Sequence, residues 1–93
     1  MTQKETEWLV YLLLCSDGSL YTGITNDLER RIAQHNDGKG AKYTRSRRPV
    51  KLVYRRQCRD QSDALKQEHS IKQMSRDKKW QMIDQVSQDL NDF

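Results

Sequence analysis

"EWLVYLLLCSDGSLYTGI", residues 7–24, decides the fold because it predicts a β-hairpin. The first arm is rich in apolar and aromatic residues, and SDG at residues 16–18 supplies the turn. A two-residue turn at Asp17-Gly18 would place Tyr11 and Tyr21 on opposite faces, whereas a three-residue loop would place them on the same face. We favour the three-residue loop, because serine and aspartate suit a type I turn and glycine suits the left-handed position that follows.

A helix is predicted directly after the hairpin, starting at Asn26 or Asp27 and running to about Asn36. Asn26 is our candidate for the N-terminal cap, since Glu29 stands three residues later, as in a capping box. The glycines of NDGKG, residues 36–40, suit the end of this helix. We expect a basic loop to follow, closed by the only proline of the chain, Pro49.

A third strand and two further helices complete the predicted order β-β-α-β-α-α. In VKLVYRRQC, residues 50–58, alternation predicts a strand with Val50, Leu52 and Tyr54 on one face. The second helix starts at about Asp60 or Ser62 and extends through residue 75. The third covers residues 77–90, with a packing stripe formed by Trp80, Ile83 and Val86. We predict one domain over residues 8–84, an N-terminal tail at 1–7 and a C-terminal tail at 85–93, whose last residues should fray.

Composition excludes several classes of protein. The chain has 93 residues, 34% of them hydrophobic and 32% charged, which favours one small domain with a modest core. No apolar run approaches the roughly 20 residues that span a bilayer, and the N-terminus lacks a secretory signal pattern. Cys15 and Cys58 match no metal-binding spacing. We therefore expect a reduced, cytoplasmic protein.

The positive charge is unevenly distributed. The net charge is +4, and residues 39–51, here called the basic segment, carry no acidic residue. This segment is a candidate phosphate-binding surface, and the alternative is a solvated loop that keeps the protein soluble. Its six basic residues are Lys39, Lys42, Arg45, Arg47, Arg48 and Lys51.

Polar residues occupy apolar stripes on two predicted helices. Leu28, Arg31, Ile32 and His35 follow the i, i+3, i+4, i+7 pattern of a core face, yet two of the four are polar. The second helix repeats this anomaly, because Ala64, Leu65 and Ile71 form its apolar side and Glu68 projects between Ala64 and Leu65. Inward charges are costly unless they are paired, hydrated or bound to a ligand. One interpretation is a buried Arg31–Glu68 ion pair with His35 in the core. The other is a site that also includes the two tyrosines of the hairpin.

The ordered set of these residues resembles a known family. LVY at residues 9–11 stands ten residues before YTG at 21–23, Arg31 lies ten residues after Tyr21, and His35 lies four further on. With Glu68 in the second helix, this arrangement resembles the GIY-YIG nuclease domain, and in particular its small standalone bacterial members, the YhbQ-like group. The first motif has Leu9-Val10 for glycine and isoleucine, and Thr22 replaces the second isoleucine. The resemblance implies an α+β fold with a small three-stranded antiparallel sheet flanked by helices.

The resemblance also implies a metal-dependent endonuclease that hydrolyses phosphodiester bonds. Tyr11, Tyr21, Arg31, His35 and Glu68 would be its catalytic residues. The Arg31 guanidinium suits a phosphate, and Glu68 as the one evident carboxylate predicts Mg²⁺ or Mn²⁺ bound weakly without substrate. Tyr11 is our candidate base, with its pKa lowered by a neighbouring cation, and Tyr21 would orient the water or the phosphate. His35 would share the proton transfer or hold Tyr11 by a hydrogen bond.

Nucleic acid is the predicted partner, with DNA favoured over RNA and structural features favoured over sequence, since so small a domain has little surface for reading bases. The alternatives are a non-catalytic nucleic-acid-binding module, including an RNA-associated one, and a plain interaction domain. We expect no membrane association and no obligate protein partner. The predicted nucleic-acid-binding residues are Lys39, Lys42, Tyr43, Arg45, Arg47 and Arg48.

Overall fold

Three antiparallel strands form the sheet in the computed structural model, which describes residues 7–91. They are β1 (Trp8–Leu14), β2 (Leu20–Thr25) and β3 (Lys51–Cys58), and their spatial order is β2-β1-β3. The helices are α1 (Leu28–Asn36), α2 (Lys42–Arg45), α3 (Gln61–Lys72) and α4 (Arg76–Asn91). The predicted α+β class and order of elements are confirmed, with the addition of the short helix α2 inside the region predicted to be a loop.

The hairpin turn has the predicted three-residue loop. The amide of Cys15 donates to the carbonyl of Ser19 at 2.9 Å, and Gly18 has the left-handed φ of 86° that favours glycine. Leu13 therefore pairs with Tyr21, and Tyr11 pairs with Gly23. Because side chains alternate between faces along a strand, this register places Tyr11 and Tyr21 on the same face of the sheet.

The register between β1 and β3 contains an irregularity that the alternation of the sequence does not predict. Leu12 pairs with Tyr54, whereas the next residue, Leu13, pairs with Leu52. Val53 is thus an extra residue on β3, as in a β-bulge. Tyr54 packs with one core cluster while Leu52 packs with the other. The prediction that Val50, Leu52 and Tyr54 share one face is therefore wrong.

The sheet has a hydrophobic core on each face. The first core joins Val10 and Leu12 of β1 to α3 and α4, whose buried contributions are Ala64, Ile71 and Ile83. The second core lies on the face of Tyr11, and its further buried members are Leu9, Leu13, Cys15, Leu28 and Val50. The predicted stripe of α4 is confirmed, but Leu65 is 48% exposed, so its assignment to the apolar side of α3 is wrong.

Helix boundaries follow the capping residues. Asp27, the second of the two predicted starts, caps α1 by accepting from the amide of Arg30 at 3.4 Å, so the capping role predicted for Asn26 is wrong. Asp60 caps α3 by accepting from the amide of Asp63 at 2.8 Å. Helix α4 runs from Arg76 to Asn91, one residue beyond each end of the predicted third helix at residues 77–90. Residues 92–93 and 1–6 of the predicted tails lie outside the described residues.

Within residues 7–91, no helix is both long enough and apolar enough to cross a membrane.

Candidate active site

Two tyrosines and a histidine meet on the sheet face that α1 covers. Tyr11 and His35 are fully buried, and Tyr21 is partly buried. The ring centroids of Tyr11 and Tyr21 are 6.5 Å apart, and those of Tyr21 and His35 are 5.2 Å apart. The hairpin register places both tyrosines on this face. His35 lies seven residues after Leu28, on the buried side of α1. The predicted grouping of these three side chains is observed.

Gly23 makes room for the Tyr11 phenol. A Cβ atom at this position would lie 2.6 Å from Tyr11 Oη and 2.8 Å from Tyr11 Cζ, well inside van der Waals contact. The YTG motif therefore requires glycine at position 23, because a side chain there would occupy the space of the Tyr11 phenol. Any larger residue at position 23 would displace the phenol or force the two strands apart.

A chain of hydrogen bonds runs through the buried imidazole. Tyr11 Oη lies 3.0 Å from His35 Nε2, and His35 Nδ1 lies 2.8 Å from Thr44 Oγ1. The Thr44 hydroxyl in turn donates to the carbonyl of Ala41 at 3.1 Å. Sequence reasoning missed Thr44, which is on the short helix α2. A threonine in a basic, apparently irregular stretch carries no signal that would distinguish it.

Burial perturbs the acid–base properties of this pair. It raises the pKa of the Tyr11 phenol to about 12, and the nearby Tyr21 phenol and Glu68 carboxylate act in the same direction. The Arg31 guanidinium lowers that pKa, but burial outweighs it, so the prediction that a neighbouring cation lowers the net value is wrong for Arg31. Burial and the positive charge of Arg31 lower the pKa of His35 to about 4. Both groups are therefore neutral at pH 7.

The buried neutral imidazole should make folding stability depend on pH. In the unfolded chain His35 binds a proton near its ordinary pKa of 6.5, and in the folded protein only near 4. The unfolded state binds more protons between these values, so the free energy of unfolding should fall by about 2 kcal/mol from pH 7 to pH 5. Urea titrations at several pH values measure this slope. His35→Gln should flatten it and His69→Gln, at the exposed histidine of α3, should not; an unchanged slope in His35→Gln would contradict the assignment.

Arg31 and Glu68 approach the phenol from different helices. Arg31 is partly buried on α1, and its Nη1 donates to Gln34 Oε1 at 3.0 Å. The Glu68 side chain on α3 is 19% exposed, and its Oε2 pairs with Lys72 Nζ at 3.2 Å. Arg31 and Glu68 form no ion pair with each other, so the interpretation as a buried Arg31–Glu68 pair is wrong. Both are close enough to Tyr11 to change the pKa of its phenol.

The comparison with family models identifies the domain. Residues 7–81 match the model described as the GIY-YIG catalytic domain. The chain belongs to the GIY-YIG family. The family is of the nuclease type, so membership implies nuclease activity in general and interaction with nucleic acid.

Relatives at high identity carry the UPF0213 name. A UPF0213 protein of Desulfotalea psychrophila is 57% identical over 77 residues, which covers 82% of this chain and 70% of the relative. A UPF0213 protein of Staphylococcus saprophyticus is 54% identical over 74 residues, covering 80% and 90% of the two chains. The matched residues make up 70% and 90% of these two relatives, and the relatives are consistent with the predicted small standalone group.

Solved structures agree with the fold. The solution NMR structure of a UPF0213 protein from Bacillus halodurans has a TM-score of 0.55 at 46% identity, covering 84% of this chain and 83% of that chain. The solution NMR structure of a protein from E. faecalis has a TM-score of 0.63 at 36% identity, covering 92% of each chain. Both likenesses extend over most of this GIY-YIG domain.

Glu68 is the residue of this GIY-YIG site that could hold a metal ion. Within residues 7–91 no group of three or more His, Cys, Asp or Glu side chains could form a metal cage. A single carboxylate suits a hard cation such as Mg²⁺ or Mn²⁺, which keeps several waters and takes further oxygen ligands from a phosphate. Glu68 is partly buried and near Tyr11, and only Lys72 pairs with it among the described residues. The Glu68 carboxylate therefore fits this kind of ion, provided that the Lys72 ammonium group moves away from it.

The basic segment packs against the GIY-YIG site. The Tyr43 ring stacks on the Tyr21 ring with centroids 6.0 Å apart and planes inclined at 25°, and the Arg47 guanidinium lies 4.0 Å from the Tyr43 centroid. Arg47 Nε also donates to Asp17 Oδ2 at 2.9 Å, which ties α2 to the hairpin turn. Arg48 Nε donates to the carbonyl of Arg45 at 2.9 Å. Arg47 and Arg48 thus have structural contacts beside any role in binding.

Proposed function

We propose that the protein is a metal-dependent endonuclease that cuts DNA and selects its substrate by structure rather than by sequence. The observation that carries the proposal is the convergence of two opposite charges on one buried phenol. Arg31 from α1 and Glu68 from α3 both act on Tyr11, and Tyr11 is hydrogen-bonded to His35. A module that only binds nucleic acid would gain nothing from a carboxylate beside the phosphate, because two like charges repel.

Each charged residue has a distinct task in this proposal. The Arg31 guanidinium exchanges its contact with Gln34 for a bidentate contact with the scissile phosphate. Glu68, released from Lys72, would hold Mg²⁺ or Mn²⁺, and the ion would neutralise the charge that develops on the phosphate oxygens. The ion is weakly bound without substrate, because one carboxylate and water make a poor cage.

Tyr11 and His35 move the proton of the attacking water. Since the phenol holds its proton and the imidazole is neutral at pH 7, Tyr11 is not a preformed phenolate base. Tyr11 instead accepts a proton from water as it passes its own to His35 Nε2 across 3.0 Å. Tyr21, which is partly buried between Tyr11 and Tyr43, orients the water or the phosphate.

The nucleic acid lies along the basic segment in this proposal. Lys39, Lys42 and Arg45 have no ion pair among the described residues, and their charges suit phosphate contacts. Tyr43 lines the same path, with a base stacking on it only if Arg47 moves aside. We also propose a cytoplasmic location, where the buried thiols of Cys15 and Cys58 would remain free.

The proposal is tested with a panel of end-labelled substrates. Nicked, branched, flapped and single-stranded DNA, with matched RNA, are incubated with the protein and Mg²⁺ or Mn²⁺, and with EDTA as the metal-free control. We expect cleavage of at least one branched or flapped DNA and none in EDTA. A preparation of Glu68→Gln, made in parallel, excludes contaminating nuclease. Binding of every substrate without cleavage of any would favour the non-catalytic module, and cleavage of RNA alone would contradict the DNA assignment.

A further inference from the structure

The imidazole of His35 is held from both sides in the interior of the protein. His35, Tyr11 and Thr44 are all fully buried, so bulk water does not compete for the two hydrogen bonds of the His35 ring. The imidazole contacts Tyr11 Oη through Nε2 at 3.0 Å and Thr44 Oγ1 through Nδ1 at 2.8 Å. Which ring nitrogen carries the proton therefore depends on these two hydroxyl groups.

The direction of each bond follows from the carbonyl of Ala41. A carbonyl oxygen can only accept, so the 3.1 Å contact assigns the Thr44 hydroxyl as the donor to Ala41, and this assignment uses the single hydroxyl proton. Thr44 Oγ1 can then only accept from His35, which requires the proton on Nδ1. A neutral imidazole has one N–H group, so Nε2 is unprotonated and accepts from the Tyr11 hydroxyl. The lowered pKa of His35 agrees with a neutral ring.

We propose that Thr44 is a positioning residue that fixes the tautomer of His35 and thereby makes Nε2 the acceptor for the Tyr11 proton. The catalytic consequence rests on the proposed function, whereas the tautomer itself does not. With the opposite tautomer, Nε2–H would compete with Tyr11 as a donor, and the phenol could pass no proton to the ring. A hydroxyl group at position 44 thus decides whether the proton path exists.

Contacts around α2 hold Thr44 in place for this task. The amide of Ser16 donates to the carbonyl of Arg47 at 2.9 Å, and the Arg47 side chain bonds Asp17 and stacks on Tyr43. These contacts attach the helix to the hairpin turn that also sets the register of the tyrosines. Gly40, just before α2, packs directly on the imidazole, and a Cβ atom there would overlap His35 Nδ1. The absence of a side chain at position 40 therefore allows the backbone to approach the ring closely.

The tautomer can be measured without any assay of activity. Long-range ¹H–¹⁵N correlation spectra of the His35 ring distinguish a protonated from an unprotonated nitrogen at each position. At pH 7 we expect protonated Nδ1 and unprotonated Nε2 in the native protein and in Thr44→Ser, which keeps the hydroxyl. Thr44→Val keeps the shape but removes the hydroxyl, and it should shift the ring towards protonated Nε2. A native protein with protonated Nε2 would overturn the proposal, even if Thr44→Val failed to fold.

Kinetics then test the positioning role. Thr44→Val should lower kcat by about 10- to 100-fold with little change in KM, and Thr44→Ser should recover most of the loss, because only the proton path is affected. Equal losses in both variants would contradict the role of the hydroxyl. If no substrate is cleaved by the native protein, the proposed function fails while the tautomer result stands, so the two failures are distinguishable.

Discussion

Glu68→Gln is expected to lower the rate of DNA cleavage by about 1,000-fold or more, because the variant lacks the one anionic ligand that residues 7–91 offer the cation beside Tyr11. The effect of such a cation on a phosphoryl transition state amounts to several kcal/mol. Affinity for DNA should be retained or slightly increased, since removing a carboxylate near the phosphate removes a repulsion. The amide has almost the same shape, so packing around this partly buried side chain is preserved. Single-turnover cleavage and fluorescence anisotropy at one fixed salt concentration measure the two quantities.

Two control variants make this experiment specific. Glu29→Gln makes the same chemical change at an exposed position of α1 and should leave the rate unchanged. Lys72→Gln removes the partner that pairs with Glu68 at 3.2 Å and should lower the Mg²⁺ concentration needed for half-maximal rate. Cleavage by Glu68→Gln at the native rate would contradict the role of the carboxylate.

The hairpin could be predicted to the residue because its information is local. Serine, aspartate and glycine at residues 16–18 specify the loop type, and the loop type specifies the register. Counting residues outward from the loop then places Tyr11 and Tyr21 on the same face of the sheet. The same locality allowed Asp60 to be predicted as a start of α3, whereas Asn26 and Asp27 both suit a cap and only their backbone geometry distinguishes them.

Irregularities that depend on tertiary packing could not be predicted. The bulge at Val53 interrupts the alternation of side chains along β3. The sequence of β3 contains no glycine or proline that would indicate a bulge there. Leu65 fits the same helical pattern as the buried residues Ala64 and Ile71, yet its side chain is exposed to solvent. Periodicity identifies an apolar face but not its width, and the width depends on what packs against it.

The assembly of the site was predictable, but its electrostatics were not. Spacing along the chain indicated that Arg31, His35 and Glu68 face inward, and the structure brings all three near Tyr11. The sign of the net pKa shift of Tyr11 depends on the balance between burial and the charge of Arg31, which requires coordinates. Thr44 lies on a four-residue helix that is stabilised by contacts with the hairpin turn, and no local pattern predicts such a helix.

Tyr11→Phe is expected to reduce cleavage by about 100- to 10,000-fold, the usual effect of removing a group that transfers a proton in the transition state. The phenyl ring fills the same space above Gly23, so the sheet should remain intact. The unfolding free energy should fall by about 1–2 kcal/mol, because His35 Nε2 loses its donor in the interior. Single-turnover rates and urea titrations measure these effects. Tyr54→Phe, at a buried tyrosine that packs in the other core, is the matched control and should keep the native rate.

Tyr21→Phe distinguishes proton transfer from orientation. The Tyr21 phenol has no hydrogen bond within the described part of the chain, and its ring packs between Tyr11, His35 and Tyr43. Losing a hydroxyl that only orients water or phosphate should cost about 10-fold, one to three orders of magnitude less than losing the proton path. Because the proton path runs from Tyr11 to His35, Tyr11→Phe and His35→Gln should be non-additive, whereas Tyr21→Phe and His35→Gln should be closer to additive. Full activity in Tyr11→Phe with a large loss in Tyr21→Phe would reverse the two roles.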